Sequence, residues 1–337
     1  MEAGSGNSES VSRPRGMSGR IALAAALLLA LLAGPAVAQD AWPARPVKII
    51  VPSFPGGGTD LFARLVASAL SEAFKQSFVV ENRPGASGNI GAEAAAKSAP
   101  DGYTLLVSAS PALVINPSLY KILPYHAERD FVPVARGVIS PLVFCVLPSS
   151  PAKTLADLVE LGRREPGKLT FGSAGMGSTT YLGVRMLEEA SGAKFLHIPY
   201  KGMGQAYQGL LGGQISFMLS DPPTVAAQLR AGRIRALAAT YRMPMLPETP
   251  TLAEAGYPHM DINASFMVAA PAGTPAAIVQ RLNEEINKAM KSPANAEKLN
   301  ALGVIPVFET PEQFAGTLAR QRKMWADFIH RTGIAPE

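Results

Sequence analysis

Short apolar runs alternate with helical patterns along most of the chain. The stretch "VKIIV" (Val47–Val51) is almost wholly apolar, as expected of a strand buried on both faces. Past a run of glycines, Leu61, Leu65, Val66, Leu70 and Phe74 recur at helical spacing. "FVVE" (Phe78–Glu81) reads as the next strand, "AEAAAKSA" as a helix, and Tyr103–Val107 as a third strand. A second set begins after "VISPLVFCVLP". Its strands lie at the start of "KLTFGSAGMGSTT", in "FLHIPY", in "ISFMLS" and in "IRALAAT". "INASFMVAAPAGTP" reads as a long strand feeding the helix "AAIVQRLNEEINKAM"; a short strand in "VIPVFE" and a last helix near "TPEQFAGTLARQ" follow. Strand, short loop, helix and strand in this order predict parallel α/β sheets, here in two units. The segment after about Ala264 is too short for a third unit and is expected to return to the first.

The N-terminus breaks this pattern. Arg13, Arg15 and Arg20 precede the apolar run "IALAAALLLALLA" (Ile21–Ala33), and Ala36-Val37-Ala38 has the small-x-small form of a cleavage site. The run is short for a membrane span and reads as a signal peptide over residues 1–38, with Met17 an alternative start. No Cys follows that run, so no lipid anchor is indicated, and no later segment is long and apolar enough to span a membrane. An exported soluble protein is expected, most simply in the periplasm. The 337 residues, 47% hydrophobic, can build a large core in one or two domains. Cys145 is the only cysteine, so no intrachain disulfide can form, and its setting in "PLVFCVLP" places it in the core. The net charge of +5 raises nucleic-acid binding as a possibility. The Lys and Arg residues are scattered without interleaved aromatics, however, and export argues against that function.

The candidate chemistry lies in three glycine-rich loops. "FPGGGTD" offers Phe54, Gly56, Gly57, Gly58, Thr59 and Asp60 between a strand and a helix. "RPGASGNIG" offers Ser87, Gly88 and Asn89 in the same context, and "GSAGMGST" offers Ser173, Ala174, Gly177, Ser178 and Thr179 in the second unit. Ser110, Tyr200, Ser220 and Asp221, at the ends of other strands, complete the set. Glycine lets backbone N–H groups approach a ligand, and a helix N-terminus leaves unpaired donors and partial positive charge. Each loop alone is also read as a tight βα turn. Together, at the C-terminal ends of parallel strands, the three loops point to one anion-binding crevice. Ser178 and Thr179 are helix-cap candidates as well as ligand candidates, and Asp60, in a first helical turn, is read as a cap. No P-loop, G-x-G-x-x-G or G-x-S-x-G pattern occurs, and His126, His197, His259 and His330 are far apart. No catalytic residue, metal site or cofactor is therefore assigned.

The order of motifs resembles the Bug family (Bordetella uptake gene products), the extracytoplasmic solute receptors associated with tripartite tricarboxylate transporters. The motifs are "WPARPVKIIVPSFPGGGTDLFARLVASAL", "VVENRPGASGNIGAEAAAKSAPDGYTLL", "INPSLY", "PYKG", "LLGGQISFM", "AGRIRALAAT", "PTLAEAGYP" and "APAGTP". The resemblance implies an α/β type II periplasmic-binding-protein fold, two Rossmann-like lobes joined by two crossover strands. The expected lobes are residues 42–137 with 267–337, and 138–266. It implies no cofactor, a small organic acid as ligand, membrane permease subunits as partners and a monomeric receptor. The ligand's carboxylate is expected on loop backbone and waters near the first two loops, with Ser and Thr of the third supplied by the other lobe. Tyr181, Ser220, Ser265, Met267, Ser53 and Phe54 depart from the family pattern, and three of these positions are expected to line the cleft. The departures are read either as a roomier, less polar pocket or as neutral drift.

Three functions are weighed: a solute receptor serving a permease, a ligand-sensing receptor that engages a signalling protein, and an exported hydrolase. The last needs a nucleophile–base pair, and no spacing in the sequence supplies one.

Overall fold

The computed structural model describes residues 42–260 and 262–334, besides Met1 and Gly6. The signal-peptide reading of residues 1–38, with its Met17 start and Ala36–Ala38 cleavage site, otherwise lies outside the described residues. β1 (Val47–Val51) is sandwiched in parallel between β2 (Phe78–Asn82) and β3 (Thr104–Ala109), which is why its sequence is apolar without alternation. Beyond β3, β10 (Ala264–Pro271) runs antiparallel to both β3 and β4 (Phe131–Ser140), and β11 (Ile305–Pro306) adds an edge. The order of this sheet is β11-β4-β10-β3-β1-β2. A second sheet has the order β7-β6-β8-β5-β9, built from β5 (Val143–Val146), β6 (Thr170–Ser173), β7 (Leu196–Pro199), β8 (Phe217–Ser220) and β9 (Arg235–Ala239). The chain leaves the first sheet after Ser140 and re-enters it at Ala264, so the two sheets are joined twice.

Helices cover each sheet and make it a lobe. α1 (Gly58–Phe74) follows β1 and buries Phe62, Ala63, Val66, Ala67 and Leu70. This inward stripe differs from the one expected from spacing: Leu61, Leu65 and Phe74 are only half-buried. α1 also packs sideways on α8 (Ala276–Lys291), so its apolar surface is wider than one stripe. α2 (Asn89–Ala96) connects β2 to β3, and a wide turn at Pro111–Ile115 leads into the short α3 (Asn116–Leu119). In the second lobe α4 (Leu155–Arg164) opens on a capping box made by Thr154 and Asp157, and α5 (Thr179–Ser191), α6 (Met203–Leu211) and α7 (Pro222–Arg230) follow β6, β7 and β8.

After β10, α8 packs on β4, and α9 (Pro293–Leu302) links α8 to β11. The last helix, α10 (Pro311–Thr332), buries Phe314, Leu318, Trp325, Phe328 and Ile329 and lies on β4 and the Pro111–Ile115 turn. Its Arg331 reaches Glu189 of α5 through two contacts of 3.0 and 3.3 Å, a surface tie between the lobes. Cys145 is fully buried in the middle of β5. Among the described residues no helix is long and apolar enough to cross a membrane.

Candidate functional site

A cleft of about 870 Å³ separates the C-terminal ends of the parallel strands in the two lobes. Five helices begin on its wall: α1 and α2 from the first lobe, and α5, α6 and α7 from the second. Three of these starts were expected from the glycine-rich loops; those of α6 and α7 were not. The first turns of α1, α2, α5 and α6 leave backbone N–H groups without intrahelical partners, whereas α7 opens on Pro222 and Pro223, which have no N–H to offer, and adds only the partial positive charge of its end. These features favour an anion in the cleft with no arginine on its wall. Lys201, itself exposed, and Asp221 are the charged residues on the wall among the described residues.

The first loop places Phe54, Gly56, Gly57, Gly58 and Thr59 on the wall, with Ser53 beside them. Asp60 stands behind it, almost fully buried, and ties the loop down. Its Oδ2 accepts hydrogen bonds from the Gly56 N–H (3.0 Å) and Arg64 Nε (2.9 Å), and its Oδ1 accepts one from Asn82 Nδ2 (2.9 Å). Burial alone would raise this carboxyl; the Arg64, Gly56 and Asn82 hydrogen bonds outweigh it and hold the group below its ordinary value. Asp60 therefore shapes the loop. The residue at the N-cap position of α1 is Gly57, which has no side chain to cap with.

The second loop brings Ser87 and Gly88 to the wall and leaves Asn89 behind it. Ala86 (φ 46°) and Ser87 (φ 51°) both adopt the left-handed conformation that non-glycine residues avoid. The turn is held by Asn116, whose Nδ2 donates to the Ser87 carbonyl (3.1 Å) and to Asn89 Oδ1 (2.6 Å). The Tyr125 hydroxyl also donates to Asn89 Oδ1, at 3.1 Å. Asn89 is thus a support for the loop, while half-buried Ser87 and exposed Ala86 form its tip on the wall.

The third loop presents Ala174, Gly177, Ser178 and Thr179. Ser178 is the N-cap of α5: its hydroxyl accepts from the Tyr181 N–H (3.1 Å) and donates to the Gly175 carbonyl (2.7 Å). Thr179 is one residue too far along to cap. Its hydroxyl is buried behind the wall surface with no hydrogen-bond partner among the described residues, and the Ser53 hydroxyl across the cleft shares that condition. Ser173 lies under the loop, where its hydroxyl meets His197 Nε2 at 2.7 Å. Burial pushes the His197 imidazole down to about 4, and the nearby Arg185 charge adds to the effect.

Tyr200 and Asp221 complete the wall in the second lobe, while Ser110 and Ser220 sit behind it. Ser110 Oγ accepts from the Ser265 N–H (3.0 Å), and the Ser220 hydroxyl donates to the Asp221 carbonyl (3.2 Å). Of the six positions that depart from the family pattern, Ser53 and Phe54 reach the cleft, two where three were expected. Tyr181 instead packs its ring on Phe171 and His197. Met203, Thr224, Phe266 and Leu142 also line the cleft. They were not anticipated, because they come from segments with no glycine-rich signature; only "PYKG" marked the approach to α6. Among the described residues no group of three or more His, Cys, Asp or Glu could hold a metal ion.

The lobes touch across the cleft at positions that lack side chains. A Cβ on Gly177 would lie 2.9 Å from Ser87 Oγ and 3.1 Å from Leu119 Cδ2, both in the first lobe. A Cβ on Gly58 would lie 2.5 Å from Asp221 Oδ2 in the second. Glycine is needed at these points for close approach.

Residues 62–334 match the tripartite tricarboxylate transporter family receptor. The chain belongs to this receptor family. BugT of Bordetella pertussis is 40% identical to the receptor over 300 residues, covering 88% of this chain and 92% of BugT. The solved structure of the periplasmic binding protein BugD superposes with a TM-score of 0.82 at 31% identity, over 88% of this chain and all of BugD. An R. palustris protein solved with adipate superposes with a TM-score of 0.84 at 35% identity, over 88% of this chain and the whole of that one. The receptor therefore has the type II periplasmic-binding-protein fold, two Rossmann-like lobes joined by two crossover strands. Its family and structural neighbours are periplasmic binding receptors and not enzymes.

Proposed function

We propose that the receptor captures a small organic carboxylate between its lobes in the periplasm and delivers it to membrane permease subunits, acting as a monomer. The observation that carries this reading is the convergence of five helix N-termini, from both lobes, on one cleft whose wall holds no arginine. Such a wall favours an anion through backbone donors and helix dipoles. Adipate in the R. palustris relative is a ligand of the same class. Residues 42–137 with 267–337 and residues 138–266 would act as the two rigid bodies, closing by hinge motion about the crossovers. The signal peptide would be removed after Ala38 during export.

A thermal-shift screen of the purified protein against organic acids tests the reading. An acid at 100 times its dissociation constant should stabilise the fold by about 2.7 kcal/mol. A screen in which mono-, di- and tricarboxylates all leave the melting temperature unmoved would overturn it.

A further inference from the structure

Asp221 is an acid on the wall of a cleft built for anions. It is the first residue past β8 and the N-cap of α7, yet its side chain caps no backbone N–H there. It is 8% exposed, and it forms no ion pair among the described residues. The Thr224 hydroxyl donates to its carboxyl, at 3.1 and 3.0 Å from the two oxygens. One O–H can supply only one proton, whereas an ionised carboxylate offers about four acceptor positions. A buried carboxylate with acceptor capacity unspent is costly. Burial accordingly pushes this carboxyl up; the Thr224 hydroxyl pulls it part-way back, and the Asp221 and Thr224 backbone N–H groups, too poorly aligned to make capping hydrogen bonds, add to that pull.

Among the described residues no other side chain donates a hydrogen bond to this carboxyl. The Gly58 backbone and the Phe266 ring press on the first-lobe side, since a Cβ on Gly58 would meet Asp221 Oδ2 and Phe266 Cζ at 2.5 and 2.7 Å. The charged groups of α1 nearest this end, Asp60 and Arg64, bind each other. Lys201, ahead of α6, is exposed, as are Glu297 and Lys298 on α9, which packs against α7. The open direction is the cleft itself.

We propose that Asp221 is a specificity-determining acceptor, and that the ligand carries a hydroxyl or ammonium donor beside its carboxylate which Asp221 binds. This rests on the carboxylate reading above. The two features act together: the helix N-termini draw the ligand's carboxylate, and repulsion from Asp221 turns it away from the α7 side. The donor then faces Asp221 and satisfies it.

Calorimetry on the purified protein tests the proposal with two matched series: adipate, 2-hydroxyadipate and 2-aminoadipate; and 3-phenylpropionate, phenyllactate and phenylalanine. In at least one series a hydroxy or amino member should bind at least about tenfold more tightly than the plain acid, as one hydrogen bond to a charged group provides. Asp221→Ala should erase that preference, with the melting temperature of the ligand-free variant confirming the fold. Asp221→Asn, which keeps the shape, should lose the preference for ammonium over hydroxyl, and it serves alone if the alanine variant does not fold. A plain acid that binds as tightly as its substituted partners in both series overturns the proposal. So does a preference that survives in the variants, or a plain acid bound with uptake of a proton. If no acid of any kind binds, the carboxylate reading falls and this proposal with it.

Discussion

Gly177→Ala adds one carbon where the lobes meet. The backbone of Gly177 is not in the left-handed region, so alanine fits it without strain, and the residue precedes the N-cap of α5. The ligand-free lobe should be unharmed, and fewer unfolded conformations should stabilise it by about 0.4–1 kcal/mol. The cost falls on closure. The new Cβ would stand 2.9 Å from Ser87 Oγ, which can rotate away, but also 3.1 Å from both Ser87 Cβ and Leu119 Cδ2, which must yield by a few tenths of an ångström. Ser87 is poorly placed to yield, because its left-handed backbone is pinned by Asn116. Overpacking of this size costs about 1–2 kcal/mol, at the lower end of measured insertions. If the liganded receptor closes to these contacts, affinity should fall about 5- to 30-fold. Calorimetry with an acid identified in the screen gives the affinity, and a melt of the ligand-free protein gives the stability. Parental affinity in a correctly folded variant would show that the ligand does not need the lobes this close.

Ser178→Ala should lower the stability of the ligand-free protein by about 0.5–2 kcal/mol, since its hydroxyl caps α5 and holds Gly175. An unchanged melt with an affinity loss would instead make it a ligand contact. His197 is held neutral, with its value moved from 6.5 to about 4, so the unfolded chain takes up a proton that the folded chain refuses. Its contribution is complete above 6.5 and declines as pH falls toward 4. Melting temperatures across that window should therefore drop more for the parent than for His197→Gln, and parallel curves would contradict the assignment. Neutral amides of a bound acid should bind at least about tenfold more weakly, because charged hydrogen bonds are lost; equal calorimetric affinities would count against the anion reading.

The sequence made the glycine-rich loops legible because each follows an apolar strand and precedes a helical pattern. It could not separate wall from support. Asp60, Asn89, Ser110, Ser173 and Ser220 have the residue types of a binding site, but they spend their hydrogen bonds holding the wall in place. That distinction depends on partners far away in the chain, such as Asn82, Asn116, Ser265 and His197. β4 gave no clear signal either: Pro133 and Gly137 interrupt its pattern, and its pairing with β10 shifts register near them. The reversed case is Asp221. Its place at the end of β8 was readable, but its want, among the described residues, of an ion pair or of any side-chain donor beyond the Thr224 hydroxyl shows only when α1, α6 and α7 are brought together.

Cys145 has a practical consequence. It is the single thiol of the chain, it is sealed inside β5, and burial pushes its ionisation far up. Maleimides and iodoacetamides attack thiolates, so the parent protein offers them no target while folded. A cysteine introduced at an exposed rim position such as Phe54 would then take an environment-sensitive dye alone. The receptor would become a single-site fluorescent reporter without first being stripped of native thiols, and screening for its ligand would reduce to reading colour in a plate.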